Sequence, residues 1–326
     1  MRLTTCRGQL HEHCTCPEPM LKCSVESAPV WCSKMRRQEL HACLNSAHTP
    51  LTGADHKNAM KNRVFDWRAR QSWQASIQHY ADDLLGPSVR NRIERDRPKC
   101  WSDDMSWLPD SKDVVPEFVL RFATYYSYFK GFHGCRPVTL SSYYEHVLLG
   151  QNSESLFANF RGIYSDVPRD KVDRVIEEFA DRGLRERGAI WFVGDDASLI
   201  EDCGHYAIQG SEFLMALAAA LCGPGTGEDY RFRLRQYGVP TILEVDVPAS
   251  FIPPEQQREV ATMVLSEWGQ SVARRPLGLE EEPCYVVRQD IPPDCIKSHY
   301  HPQRIRDPHQ GFRTYRNPAV TCDVCG

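Results

Sequence analysis

The sequence has no long hydrophobic segment and no excess of positive charge. Its longest apolar run, residues 213–221, is far shorter than the roughly 20 residues that span a bilayer as a helix. The first residues lack the apolar core of a secretion signal. The formal net charge of the 326 residues is -4, which argues against a nucleic-acid binder that relies on bulk positive charge and against a polybasic membrane module. We therefore expect a soluble cytoplasmic protein without a membrane partner.

The chain also lacks the common nucleotide-binding and hydrolase motifs. It contains no Walker loop, GxGxxG, HExxH or GxSxG motif and no kinase signature. Residues 223–227 are rich in glycine, but they follow a predicted helix, whereas a phosphate-binding loop precedes a helix and ends in Lys-Ser/Thr. These residues are therefore predicted to connect a helix to a strand.

Cysteine is abundant, but its spacing does not indicate a metal site. Six of the 14 cysteines fall within the first 43 residues, where no Cys-x-x-Cys pair occurs and a disulfide framework is not expected without a secretion signal. Residues 1–58 are predicted to be a disordered tail or the product of a start codon set too far upstream, and a zinc module is the alternative. Cys322 and Cys325 form only half of a zinc clamp. His299 and His301 have no identifiable partner nearby, so no metal site is predicted.

Local periodicity predicts an N-terminal helical part followed by alternating short strands and helices. Apolar residues at helical spacing predict a helix over residues 73–84, and residues 86–113, rich in Arg, Asp and Pro, are predicted to be a linker. The later helices are predicted over residues 170–179, 212–221 and 254–269, and the strands over residues 125–129, 189–193, 239–247 and 284–287. This irregular order favours an α+β fold over a regular βαβ alternation.

Three later segments combine a strand or helix start with residues that suit chemistry. They are residues 128–136, residues 204–212 and residues 280–287. The first is a predicted strand that ends in His133 and Gly134. The second is a strand-like piece that carries Tyr206 and leads into a helix. The third places acidic residues, among them Glu282, before a strand.

In this order the segments resemble the ADP-ribosyltransferase superfamily, in its His-Tyr-Glu branch of diphtheria-toxin-like and poly-ADP-ribose-polymerase-like enzymes. That branch has a strand ending in a His-Gly-Thr type motif, a tyrosine just before a helix, and a late strand that follows a glutamate. Residues 141–150 also resemble the helix and glycine that follow the first motif. The resemblance covers roughly residues 114–300. It implies a mixed split β-sheet with flanking helices in residues 114–326, preceded by a helical segment and linker in residues 59–113.

The resemblance implies an NAD-dependent ADP-ribosyltransferase of toxin, defence or effector type. NAD would be the substrate, and a protein or nucleic acid the acceptor; with water as acceptor the activity would be that of an NAD glycohydrolase. By resemblance, His133 bonds a ribose hydroxyl, Gly134 lets the backbone approach the nicotinamide amide, and Tyr206 stacks on the nicotinamide ring. Glu282 stabilises the ribose cation, and the helix start at Ser211 can face the diphosphate.

The acidic residue departs from the family pattern. The family's glutamate lies directly at the strand start, where this chain has Cys284. Three interpretations remain open. Glu282 reaches in across Pro283; Glu244 or Glu212 takes its place; or the chain is an inactive relative that binds a nucleotide or a partner.

Each of the other residues also has a purely structural interpretation. His133 can be an ordinary histidine at a strand end, and Tyr206 a core tyrosine with a satisfied hydroxyl. Ser211 is most simply a helix N-cap. Arg136 can contact phosphate or the acceptor, but a surface salt bridge is favoured slightly.

Overall fold

The computed structural model of the protein describes residues 63–98, 101, 104–222, 228–275 and 282–326. These residues belong to one unit, Asn58–Gly326. The predicted cysteine-rich tail, residues 1–58, lies outside the described residues, as do residues 223–227.

A six-stranded sheet forms the centre of the described chain, with a separate two-stranded hairpin near the C-terminus. The strands are β1 Val64–Phe65, β2 Tyr128–Cys135, β3 Ile190–Val193, β4 Thr241–Pro248, β5 Cys284–Val287, β6 Ile296–Tyr300, β7 Arg304–Asp307 and β8 Arg313–Arg316. The sheet order is β5-β3-β2-β4-β6 with antiparallel neighbours, β1 pairs with β2 in parallel, and β7 pairs with β8. Leu243 and Val245 on β4 are fully buried, as expected for a strand with a neighbour on each side.

Helices cover both faces of this sheet. They are α1 Arg70–Ala81, α2 Pro87–Asp96, α3 Ser111–Tyr125, α4 Ser141–Glu145, α5 Ser153–Ile163, α6 Arg169–Glu178, α7 Ala180–Arg185, α8 Asp196–Glu201, α9 His205–Ile208, α10 Glu212–Leu221 and α11 Pro254–Val272. The longest, α11, begins with Pro254 in its first turn and carries Glu255 there, which suits both the free N–H groups and the helix dipole. Within the described residues, no helix combines the length and the apolar character needed to cross a membrane.

The largest hydrophobic core lies on one face of the sheet. Residues of α3 and α11, such as Phe122 and Val264, pack there against Phe129, Phe192 and Leu243 of three neighbouring strands. On the opposite face, a smaller cluster joins β2, β3 and β4 to α8 and α9. Its buried members are Phe132, Val193, Leu199 and Ile242. A third cluster is formed mainly by α5, α6 and α10.

The α+β class agrees with the prediction, and so do most of the predicted elements. Strands β3, β4 and β5 lie within one or two residues of their predicted bounds, and α1, α6, α10 and α11 form where apolar periodicity predicted helices. Ser211 caps α10, since its hydroxyl accepts from the N–H of Leu214 at 3.5 Å.

Three local predictions were wrong. The predicted linker contains α2, which has Pro87 at its start and the buried side chain of Ile93. The β-prone residues 125–127 do not belong to a strand, because α3 runs to Tyr125 and β2 begins only at Tyr128. The strand-like piece before α10 is the one-turn helix α9. In each segment tertiary packing overrides local propensity.

Residues 63–98 share the main core with the residues after position 113. Phe65 and Trp73 belong to the same buried cluster as Phe118, and Phe65 lies in β1, beside Phe129 of β2. The predicted helical segment thus supplies a strand and part of the core to the same sheet.

Candidate functional site

β2 and β3 separate at the predicted His-Gly motif. They pair only at Phe132 and Val193, whereas β2 pairs with β4 along its whole length, from Tyr128 to Cys135. Beyond Phe132 the edge of β2 that faces β3 is therefore not part of a continuous ladder.

The His133 side chain bridges the gap. Its Nδ1 lies 2.9 Å from the carbonyl oxygen of Trp191, and because a carbonyl can only accept, Nδ1 must carry the proton. Burial lowers the pKa of His133, although the bond to Trp191 acts in the opposite direction. A neutral imidazole protonated on Nδ1 has a free lone pair on Nε2, so His133 can accept a hydrogen bond from a hydroxyl group.

Gly134 is in close contact with Tyr206 and α8. A Cβ added to Gly134 would lie 3.0 Å from the Cβ of Tyr206 and 3.4 Å from Cδ2 of Leu199. The glycine is therefore needed for Tyr206 to pack this close to the strand, whether or not its backbone also approaches a ligand.

His133 and Tyr206 flank the end of β2 from opposite faces. Successive residues of a strand point to opposite faces, and the β2–β4 ladder shows no register shift. The position of a Gly134 side chain points at Tyr206, so His133 points to the other face, where its ring lies 5.8 Å from that of Phe192. The structure thus brings both residues to the same strand end, but not onto the same face.

The Tyr206 hydroxyl belongs to a chain of polar contacts. It donates to Oε2 of Glu212 at 2.8 Å, and Oε1 of Glu212 accepts from Arg182 at 3.3 Å. Arg182 also donates to Glu186 at 2.7 Å. Of the three acids considered from the sequence, Glu212 is thus the one that contacts Tyr206, and it fixes the orientation of the phenol ring.

Glu282 lies two residues before the start of β5. Burial raises the pKa of its carboxyl to about 7, and the nearby charge of Asp195 adds to this, while a hydrogen bond from Ser198 opposes it. β5 begins at Cys284, which belongs to the same apolar cluster as Tyr206 and Leu199. The carboxyl two residues earlier is held against the first turn of α8.

Glu244 occupies a different position. It is ion-paired with Lys130 and accepts from the Ser298 hydroxyl at 2.8 Å. Burial raises the pKa of Glu244, but the hydrogen bonds from Lys130 and Ser298 outweigh burial, so its pKa is below the ordinary value. Its Cα partner on β2 is Phe132, and Arg68 covers that ring at 4.1 Å from its centroid. Glu244 is thus an ionised carboxylate with both oxygens already occupied.

Arg136 has a structural role. Its guanidinium donates to three backbone carbonyls, at 2.7 Å to Tyr237, at 3.0 Å to Ile208 and also to Arg235. These bonds stand in place of the surface salt bridge that was favoured from the sequence. The bonds join β2 to α9 and so help to hold Tyr206 at the strand end.

Three residues near the candidate site were missed from the sequence. Ser198 and Leu199 of α8 contact Glu282 and the Gly134 position respectively. Trp191 shares a face with Val193, on the Tyr206 side, and 36% of it is exposed. Within β3 only Trp191 is exposed, but no local pattern in the sequence distinguishes it from its apolar neighbours or links α8 to β2 and β5.

A surface cleft lies elsewhere, between α2 and the loop before α3. It is lined by Arg92, Asp96, Trp107 and Lys112, among others. None of the residues predicted from the sequence lines it.

The sequence matches no protein-family model, and no curated protein and no solved structure is significantly similar to the chain.

Proposed function

We propose that the protein is an NAD-dependent ADP-ribosyltransferase. It cleaves the nicotinamide–ribose bond and transfers ADP-ribose to a protein or nucleic acid, in the manner of a toxin, defence factor or effector. The observation that carries the proposal is the position of α8. Its Leu199 packs beside Gly134 and Tyr206, and its Ser198 lies near the Glu282 carboxyl and lowers the pKa that burial raises. The short helix α8 therefore lies next to the Tyr206 ring, to Gly134 at the end of β2, and to the Glu282 carboxyl, whose pKa is raised.

NAD would lie across the end of β2. On one face, Tyr206 and the exposed ring of Trp191 suit a planar nicotinamide, because stacking of such rings on aromatic side chains contributes about 1–3 kcal/mol. On the other face, Nε2 of His133 suits a ribose hydroxyl. This pose uses both faces of the strand, as the opposite positions of His133 and Tyr206 require.

The reaction needs a negative charge near the ribose. Nicotinamide leaves with the electron pair of its bond to the ribose carbon, so it becomes neutral and the ribose carries the positive charge. A nucleophile of the acceptor then attacks that carbon and loses a proton. A carboxylate in a site with little water stabilises the cation, and we assign this role to Glu282. The cationic nicotinamide of bound NAD favours its ionised form.

The proposal is tested with the full chain and NAD labelled in its adenosine part. Release of nicotinamide is measured by chromatography, and the label is followed into macromolecules of a cell extract or into free ADP-ribose. Label on macromolecules supports a transferase; label only in free ADP-ribose supports an NAD glycohydrolase. No release of nicotinamide in extracts of several kinds would contradict both activities.

Matched variants locate the site. Tyr206→Phe keeps the ring but loses the bond to Glu212, so turnover falls modestly, whereas Tyr206→Ala removes the stacking surface and abolishes turnover. His133→Ala also abolishes turnover. Glu201→Gln, which changes an exposed acid of α8 paired with Arg306, serves as the control with unchanged activity. Full turnover in Tyr206→Ala and His133→Ala together would show that the site is elsewhere.

A catalytically inactive relative is the second candidate, and one observation favours it. The strand start that the family pattern gives to glutamate is Cys284, and Glu282 lies two residues before it. This candidate predicts that NAD binds, measured by calorimetry, but that no nicotinamide is released. Nicotinamide release by the wild type therefore separates the two candidates, and where release occurs, Glu282→Gln lowers it if Glu282 is the catalytic carboxylate.

A further inference from the structure

Two pairs of potential metal ligands meet at the edge of the sheet. His299 lies on β6 and His301 directly after it, while Cys322 and Cys325 lie in the C-terminal segment after β8. One ligand atom of each residue lies within 4.8 Å of those of the other three. The β7–β8 hairpin separates the pairs in sequence and returns the chain to β6.

The distances within the group suit a tetrahedral metal. The two Sγ atoms are 3.6 Å apart, and Sγ of Cys322 lies 3.6 Å from Nε2 of His299. With Zn–S bonds of about 2.3 Å and Zn–N bonds of about 2.0–2.1 Å, a tetrahedral zinc separates two sulfurs by about 3.8 Å and a sulfur from a nitrogen by about 3.6 Å. A disulfide would need about 2.05 Å between the sulfurs, and both cysteines are free.

In both histidines Nδ1 contacts a protein oxygen, which leaves Nε2 on the opposite side of the ring for a metal. Nδ1 of His301 lies 3.0 Å from the carbonyl oxygen of Pro240, so Nδ1 donates and Nε2 carries the lone pair. That Nε2 is buried and has no hydrogen-bond partner. Nδ1 of His299 lies 2.7 Å from the Tyr144 hydroxyl. A carbonyl or hydroxyl on the second ring nitrogen is the usual support of a histidine that binds a metal.

The cysteine segment is held in place in a similar way. The N–H of Val324 donates to Sγ of Cys322 at 3.4 Å, which suits a thiolate. The Asp323 carboxylate between the two cysteines accepts from the N–H groups of Leu140 and Ser141 at 2.9 and 3.0 Å. The C-terminal segment is thus fastened beside α4, with its sulfurs facing β6.

The geometry points to a structural zinc site formed by His299, His301, Cys322 and Cys325. Two thiolates and two imidazoles are the ligands that Zn²⁺ prefers, and four protein ligands leave no position for substrate or water, so the ion has a structural role. It would join the last residues of the chain to β6. Since β6 pairs with β4, and Leu243 of β4 lies opposite both His299 and His133, the zinc would stabilise the part of the sheet that carries the end of β2.

The site is tested by metal analysis of the full chain, purified under reducing conditions without chelators. Zinc per chain is measured by inductively coupled plasma mass spectrometry. We expect the double variant Cys322→Ser, Cys325→Ser to hold one zinc fewer than the wild type. Cys222→Ser, which changes an exposed cysteine outside the group, is the control and keeps the full content. Any zinc bound by the N-terminal cysteines is common to all three chains and cancels in the comparison.

A second measurement does not depend on the folding of the double variant. Co²⁺ added to the metal-depleted wild type should give the intense visible absorption of a tetrahedral thiolate site, and Cys325→Ser, which loses only an exposed ligand, should lower the metal affinity at least tenfold. The inference would be overturned if the wild type and the folded double variant contained equal amounts of zinc. It would also be overturned if mass spectrometry found a Cys322–Cys325 disulfide in protein purified under reducing conditions. A Co²⁺ spectrum that lacks the absorption bands of a cysteine thiolate bound to the metal would overturn it as well.

Discussion

The replacement Glu282→Gln should make the protein more stable at neutral and alkaline pH. Burial raises the pKa of the Glu282 carboxyl from the ordinary 4.5 to about 7. The folded protein therefore binds more protons than the unfolded chain between these two pH values, and stability falls as pH rises from about 4.5 to about 7, then stays level. Below pH 4.5 the carboxyl is protonated in both states and costs nothing.

The magnitude follows from the difference between the two pKa values. About 2.5 pKa units correspond to about 3 kcal/mol, which is an upper bound because Glu282 is only partly buried. Glutamine keeps the shape of the side chain but cannot ionise, so it removes this cost. At pH 8 we expect Glu282→Gln to raise Tm by up to roughly 10 °C, and at pH 4.5 to change it little.

Thermal unfolding of the full chain at several pH values between 4.5 and 8.5 measures the effect. The exposed Glu201, changed to Gln, is the control and should give the same pH dependence as the wild type. If the curves of Glu282→Gln and the wild type run parallel over this range, Glu282 is not buried as described. If Glu282 also supplies the catalytic carboxylate, kcat/KM of the wild type for NAD, which reports the free protein, should rise with an apparent pKa near 7, and Glu282→Gln should gain stability while it loses turnover.

Three further substitutions test the packing around the candidate site. Gly134→Ala forces a Cβ against Tyr206 and should cost about 1–3 kcal/mol in urea unfolding, whereas Gly162→Ala, in a helix with open space around it, should be neutral or stabilise by up to about 1 kcal/mol; equal effects would contradict the close contact. Ser211→Ala should cost about 1 kcal/mol through the lost N-cap, and Ser211→Asp should restore most of it if capping is its role. Arg136→Lys cannot serve three carbonyls at once and should cost about 1–3 kcal/mol; a change within 0.5 kcal/mol in its thermal or urea unfolding would show that these bonds contribute little.

Local patterns in the sequence were sufficient for the α+β class and for most elements of the later part of the chain. The apolar runs of β3, β4 and β5 each have few alternatives to a buried strand, and the Ser211 cap marks a helix start by its own chemistry. Local patterns gave wrong predictions where contacts with residues far away in the sequence determine the secondary structure. Ile93 turns a charged, proline-flanked segment into α2 because it can be buried, and α9 forms where a strand was predicted, with Tyr206 packed against the Gly134 position of β2.

The contacts of the candidate site depended on tertiary structure. The sequence was sufficient to select His133, Tyr206 and three acids as candidates. The alternation of side chains along a strand shows that His133 and Gly134 face opposite sides of the sheet, but it does not show on which side Tyr206 packs. The turn from α9 to α10 decides which acid contacts Tyr206, and burial raises the pKa of Glu282. Likewise, no repeat of helical or strand spacing in the sequence connects His299 and His301 with Cys322 and Cys325. Only the folding back of the chain through the β7–β8 hairpin brings these four side chains together, because burial and long-range pairing are properties of the whole chain.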